Sequence, residues 1–191
     1  MRRSTLNVTL AVALGIATAW ASAGAQGMDT GRVNFRQRNL SGPRLGVTYV
    51  MGKNELSSDL DREGMGRAIS QFGWHFERQI VPMGGGPQFV VQAVPMLGGV
   101  EYGKFIPGLT LAMGIRFPSG YEFGIGPNVT AVNPTETSST ARPALATAVG
   151  RSFNYGGVSL PLNLVLVTSP EGQRVSFIVG YAIQRTGFTI Q

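Results

Sequence analysis

The sequence contains one histidine, ten acidic residues and no cysteine, which leaves few chemistries open. Thiol nucleophiles, thiolate metal sites and a disulfide framework are excluded. The histidine, His75, lies near Ser70 and Glu77. A serine, a histidine and an acid are the raw material of base-assisted nucleophilic catalysis, so His75 and Glu77 are the candidate catalytic pair. In an extended chain alternate side chains share a face, which puts His75 with Glu77 and turns Ser70 the other way. A second constellation is Arg116 with Glu122, placed symmetrically about Ser119. If the chain folds back at Ser119, the two become cross-strand neighbours, with Glu77 on the corresponding face of an earlier segment. They make either an internal acid–base site or a neutralised charge pair, since an unpartnered buried charge costs several kcal/mol. No metal or cofactor set is legible. The acids between Ser57 and Gly64 lack calcium-loop spacing, and that stretch reads as a solvated loop with at most one helical turn. Gly120, Gly124 and Gly126 precede no helix, so they are not a phosphate-binding loop.

The elements that must position these residues are strands. Eight stretches alternate large apolar residues with small or polar ones: 44–50, 70–80, 88–96, 109–117, 121–128, 141–153, 158–167 and 175–184. In the fourth, Leu109, Leu111, Met113, Ile115 and Phe117 oppose Thr110, Ala112, Gly114 and Arg116. This period of two is that of β-structure. Many of the stretches have the roughly nine to eleven residues with which a tilted strand crosses hydrocarbon.

The two faces differ in kind. Only 14% of residues are charged, against about 25% in ordinary domains. The non-apolar face is built from Gly, Ala, Ser, Thr, Asn and Gln. A soluble sandwich turns its apolar face inward and its charged face out. Here the small face suits a narrow barrel interior, and the large apolar face suits lipid. The expected fold is therefore all-β, an antiparallel up-and-down β-barrel of about eight strands.

Connections repeat the asymmetry. Segments 83–87, 118–120 and 154–157 are tight and glycine-bearing. Segments 51–67, 97–107 and 129–140 are longer and polar, whereas 168–173 is short. Barrels of the outer membrane have short periplasmic turns and longer external loops. Phe117, Tyr121, Phe153 and Tyr155 flank two of the tight turns and suit an interfacial aromatic girdle.

The first 25 residues read as a secretory signal peptide: Arg2 and Arg3, an apolar run from Val8 to Trp20, then small residues to Ala25. The run is too short to span a bilayer, for which about 20 residues are needed. Residues 26–40 read as an N-terminal periplasmic segment and 41–191 as a single barrel domain. The basic residues are spread along the chain, so no nucleic-acid partner is expected.

The stretches SGPRLGVTYV, ISQFGWHFE, PSGYEFGIGPNVT, NYGGVSLPLNLVLV and GQRVSFIVGYAI resemble small bacterial outer-membrane β-barrel proteins of OmpA/OmpX-like architecture. The resemblance covers about residues 41–184. It implies an outer-membrane protein with a packed lumen and a structural or surface-interaction role through its external loops. It also implies outer-membrane lipid and the barrel insertion machinery as partners. Such barrels end on an aromatic residue, whereas here Phe188 is followed by further residues to Gln191. Two alternatives stand beside this reading. One is a soluble periplasmic β-barrel holding a lipid or other apolar ligand. The other is a lipid A-modifying barrel enzyme acting through His75.

Overall fold

A computed structural model describes residues 35–82, 86–132, 140–155, 158–183 and 185–186. The signal peptide, parts of the 83–87, 129–140 and 154–157 connections, and the tail containing Phe188 lie outside the described residues.

Eight strands form the wall: β1 (Gly42–Met51), β2 (Ala68–Pro82), β3 (Gln88–Gly98), β4 (Ile106–Arg116), β5 (Tyr121–Val132), β6 (Thr140–Tyr155), β7 (Val158–Ser169) and β8 (Gly172–Gly180). Each pairs antiparallel with the next. β8 then pairs with β1, with Val47 opposite Phe177, so the sheet closes on itself. Closure removes the exposed strand edges that an open sheet would present.

Three short segments extend the seam between first and last strands. Phe35–Asn39 continues β1, and Ala182–Ile183 and Arg185–Thr186 continue β8. Register is kept across each break: Arg38 faces Gln79 and Gly42 faces His75, while Arg38 faces Thr186 and Arg44 faces Gly180. The first strand thus reaches back to Phe35, into the segment that the sequence assigns to an N-terminal arm. At the break a Cβ on Gly42 would sit 1.9 Å from the Tyr181 carbonyl oxygen, so no larger residue fits there.

The alternation read from the sequence is the alternation of the wall. Leu109, Leu111, Met113 and Ile115 point out and are 42–59% exposed, while Ala112 and Arg116 are buried inside. The same division holds for Phe72, Trp74 and Phe76 against His75 and Glu77. The interior is not uniformly small, because β3 turns Val90, Val94 and Met96 inward. Its outward residues Phe89 and Val91 are also apolar, so the two faces of this strand differ less than those of the others.

At the Pro118–Gly120 turn, the Phe117 amide donates to the Tyr121 carbonyl and the Gly120 amide to the Phe117 carbonyl. Gly120 has φ of +86°, a left-handed conformation that favours glycine. Its carbonyl also accepts from the Ser152 amide on β6 at 2.8 Å, tying this turn to the next hairpin.

The opposite end carries a helix where a solvated loop was expected. α1 (Glu55–Arg62) is capped by Asn54, whose side chain accepts from the Ser57 amide while the Ser57 hydroxyl accepts from the Asn54 amide. This reciprocal cap satisfies two otherwise orphan donors. Leu56 and Leu60, one turn apart, face the same way. Leu60 packs with Val50, Met65 and Ile69 in a small apolar cluster at the barrel mouth, with Leu56 and Ile106 against it. The helix therefore folds over the mouth, where its leucines are taken out of water against this cluster.

Leu60→Ala should release this helix while leaving the wall intact. Removing a buried leucine costs about 2–5 kcal/mol, so hydrogen exchange should quicken across 54–65 and stay unchanged in β4 to β7.

Candidate functional site

The lumen is divided into two unlike halves. Near the tight-turn end lies a charged layer drawn from six strands. Arg116, at the end of β4, donates from Nη1 and Nη2 to the two Glu77 carboxylate oxygens at 2.7 and 2.8 Å. Its Nε donates to Glu122 Oε2 at 2.7 Å. Glu122 also accepts from Asn163 Nδ2 at 2.8 Å, and Gln92 Nε2 approaches Glu77 at 3.5 Å. Arg116, Glu77 and Glu122 are all under 8% exposed. The forked guanidinium matches a carboxylate in two parallel bonds, a geometry lysine cannot supply.

His75 joins this layer from β2. Arg44 Nη2 donates to His75 Nδ1 at 2.6 Å. A guanidinium has only donors, so Nδ1 must be the acceptor and the ring proton lies on Nε2. That nitrogen is 3.6 Å from Glu77 Oε2. The imidazole thus accepts from Arg44 in its neutral form and lies beside the carboxylate without a hydrogen bond to it.

Ser70 is not part of this group. It faces outward at the other end of β2, where its amide and hydroxyl donate to the Glu101 carboxylate. The described residues therefore bring His75 and Glu77 together with two arginines, and leave the serine on another face. Arg44, Gln92 and Asn163 were missed by sequence reading. Arg44 stands at the edge of its apolar stretch, and nothing local marks it as a partner of His75.

Phe117, Tyr121 and Tyr155 are exposed on the outer wall at the tight-turn end, at 39–68%, with Phe153 half-buried beside them. The Phe117 and Phe123 rings meet edge to face, with centroids 6.2 Å apart. Arg151 lies between Tyr121 and Phe153, its guanidinium carbon 4.9 and 5.1 Å from the two ring centres.

The other half of the lumen is not packed. A cavity of about 360 Å³ extends from the charged layer to the helix at the mouth. The expectation of a filled interior fails here because β4 and β6 turn Gly108, Ala112, Ala146 and Ala148 inward, and the long chains facing them bond to each other rather than fill the space. Arg174 donates to Asn128 Oδ1 and, at 2.7 Å, to Thr130 Oγ1. Arg142 pairs with Asp59 of α1, and Lys104 with Glu63 at 2.6 Å. These last two bridges tie the helix segment to strand β6 and to the 97–107 connection.

A closed antiparallel barrel of eight strands, apolar without and charged within, has the fold of the small outer-membrane barrels. One solved structure that it resembles is Ail, the attachment invasion locus protein of Yersinia pestis. The similarity has a TM-score of 0.54 at 10% identity, over 78% of this chain and 99% of that one. A second structure of Ail, in complex with the heparin analogue sucrose octasulfate, aligns over the same shares with a TM-score of 0.47 at 12% identity. At these identities the likeness is one of fold. No protein-family model matches the sequence, and no curated protein does.

Arg116→Ala should destabilise the barrel more than Glu122→Gln. The first strands two buried carboxylates, a loss of about 3–5 kcal/mol. The second keeps a carbonyl oxygen that can accept from Arg116 or Asn163. Urea titration of the refolded protein, followed by heat-modifiable gel mobility, measures the order; equal midpoints would contradict it.

Proposed function

We propose that this chain is an integral outer-membrane protein that presents its loop end to the outside, with a structural or surface-interaction role. The observation that carries the proposal is the outer wall. On every strand most outward positions are apolar and exposed, among them Leu45, Trp74, Leu111, Ile125, Leu164 and Phe177 at 46–61%. Soluble monomers rarely expose continuous apolar patches beyond about 300–600 Å². A band around a whole barrel needs hydrocarbon as its solvent. No described helix is long and apolar enough to cross a membrane, so crossing would be by strands.

The soluble-carrier alternative needs the same apolar residues turned inward, and they point out. Arg151 among Tyr121 and Phe153 suits the headgroup level, where aromatic rings and a snorkelling cation are favoured. In such barrels the short turns face the periplasm and the longer loops face outward, so this reading puts the tight-turn end on the periplasmic side and α1 outside. Lipid against the wall and the machinery that inserts barrels are the partners this reading requires.

The charged layer makes diffusion through the barrel an unsuitable task, since Arg116 and its carboxylates fill the cross-section on one side. Activity at the outer end is the better fit. The 97–107 connection exposes Val100, Tyr102 and Phe105 at 52, 37 and 58%, an apolar tip suited to contact with another surface.

Two measurements test the proposal. The protein should resist carbonate extraction from envelopes and shift mobility on heating; recovery as a soluble periplasmic monomer would overturn it. Leu111→Lys at mid-wall should cost about 2–4 kcal/mol of folding stability in lipid vesicles. A soluble barrel would show a change within about 0.5 kcal/mol, as for ordinary surface substitutions.

A further inference from the structure

We propose that the half of the lumen beneath α1 is a binding site for a small amphipathic anion: a carboxylate, phosphate or sulfate head on a single hydrocarbon body. The inference does not rest on where the barrel resides, because the cavity belongs to the inside of the wall.

Size and chemistry both point to such a ligand. At about 360 Å³ the cavity lies at the low end of ligand sites, which span about 300–1,000 Å³. It admits one short chain and not a multi-chain lipid. Its wall is mostly apolar, with Val50, Leu60, Met65 and Ile69 on one side and Val165 and Val167 on another. Charged groups stand at both ends, Arg142, Arg174 and Lys104 toward the mouth and Arg44 with Glu122 at the charged layer, and the small and apolar side chains lie between them.

The sign of the ligand's head follows from the charges. Four cations line the cavity: Arg44, Lys104, Arg142 and Arg174. Three carboxylates line it, and each is already engaged: Asp59 by Arg142, Glu63 by Lys104, and Glu122 by Arg116. Arg116 serves two carboxylates, Glu77 and Glu122, and the positive charge of Arg44 beside them offsets the second. Among the described residues the cation lining the cavity that is left without an ion pair in the half beneath α1 is Arg174. Glu171, in the turn between β7 and β8, is electrostatically coupled to Arg174 and Arg142 but lies outside the cavity wall and within ion-pair distance of neither.

The arginines near the mouth also have unused capacity. Arg142 Nη1 is buried without a hydrogen-bond partner among the described residues, although Nη2 of the same group holds Asp59. A buried donor left unpaired costs about 1–3 kcal/mol. An anionic head between Arg142 and Arg174 would satisfy that donor and the unpaired charge together. Its hydrocarbon body would then run down the wall toward Ala112 and Ala146. Asp59 shares Arg142 with such a head, so occupancy and the docking of α1 are coupled.

Titration calorimetry with decanoate tests the proposal, on protein in neutral-lipid nanodiscs or, should the chain purify as a soluble protein, in buffer. Heat from protein-free discs is subtracted. Decanoate should bind saturably with one site per chain. Decanol, of equal length and no charge, should bind at least tenfold more weakly, and so should inorganic phosphate alone. Arg174→Gln should weaken decanoate about tenfold and leave decanol unchanged, while Arg174→Lys should retain most of the affinity. Ala146→Leu, which fills the cavity floor, should remove saturable binding of decanoate while heat-modifiable mobility persists. If Arg174→Gln fails to fold, Arg174→Lys and Ala146→Leu decide. No saturable site, equal binding of decanoate and decanol, equal binding of decanoate and phosphate, or undiminished binding by folded Ala146→Leu would each overturn the proposal.

Discussion

The fork between Arg116 and Glu77, shared with Glu122, is the interaction on which the rest depends. A barrel whose outer wall is apolar must place its polar side chains inside, where water is scarce and charge is costly. Two carboxylates from β2 and β5 meet one guanidinium from β4, and Arg44 with His75 completes the layer from β1 and β2. The layer bonds strands that are not neighbours in the sheet. It therefore braces the cross-section in directions that the backbone ladder, running only between adjacent strands, does not reach.

The division of the lumen has a simple cause. Where long polar chains meet they fill the cylinder, as around Arg116. Where Gly108, Ala112, Ala146 and Ala148 come inward together there is nothing long enough to fill it. The helix then serves as a cover rather than as filling. Its leucines pack on an apolar ring formed by Val50, Met65 and Ile69, and at the rim its Asp59 pairs with Arg142 while Glu63, just past its end, pairs with Lys104.

The wall was legible in the sequence because it is periodic. Leu109 to Arg116 states its two faces without reference to any other segment, and the glycine of the Pro118–Gly120 turn marks where the chain reverses. Arg116 and Glu122 were legible as a local pair for the same reason. Glu77 was visible as a neighbour on the right face, but not as the group that takes both ends of the guanidinium. The upper half was hidden because it is assembled from distant parts: Arg142 and Asp59 are 83 residues apart. The helix itself had a local signal, Asn54 and Ser57 at capping-box spacing with Leu56 and Leu60 one turn apart, obscured by the acids around it. His75 and Ser70 lie close in sequence, but strand geometry puts them on opposite faces.

The seam between β1 and β8 sets an order of events. Every other strand pair joins sequence neighbours and closes as a local hairpin. This one joins Arg44 to Gly180, so it must await nearly the whole chain and pay the entropy of the largest loop in the molecule. It is also the seam whose ladder is interrupted, at Leu40–Ser41 on one side and Tyr181 on the other. Loop entropy makes this pairing the costliest of the eight, and until that closing step the sheet has two free edges. The chain is most exposed to mispairing with another copy just before that step, when its two ends have yet to find each other.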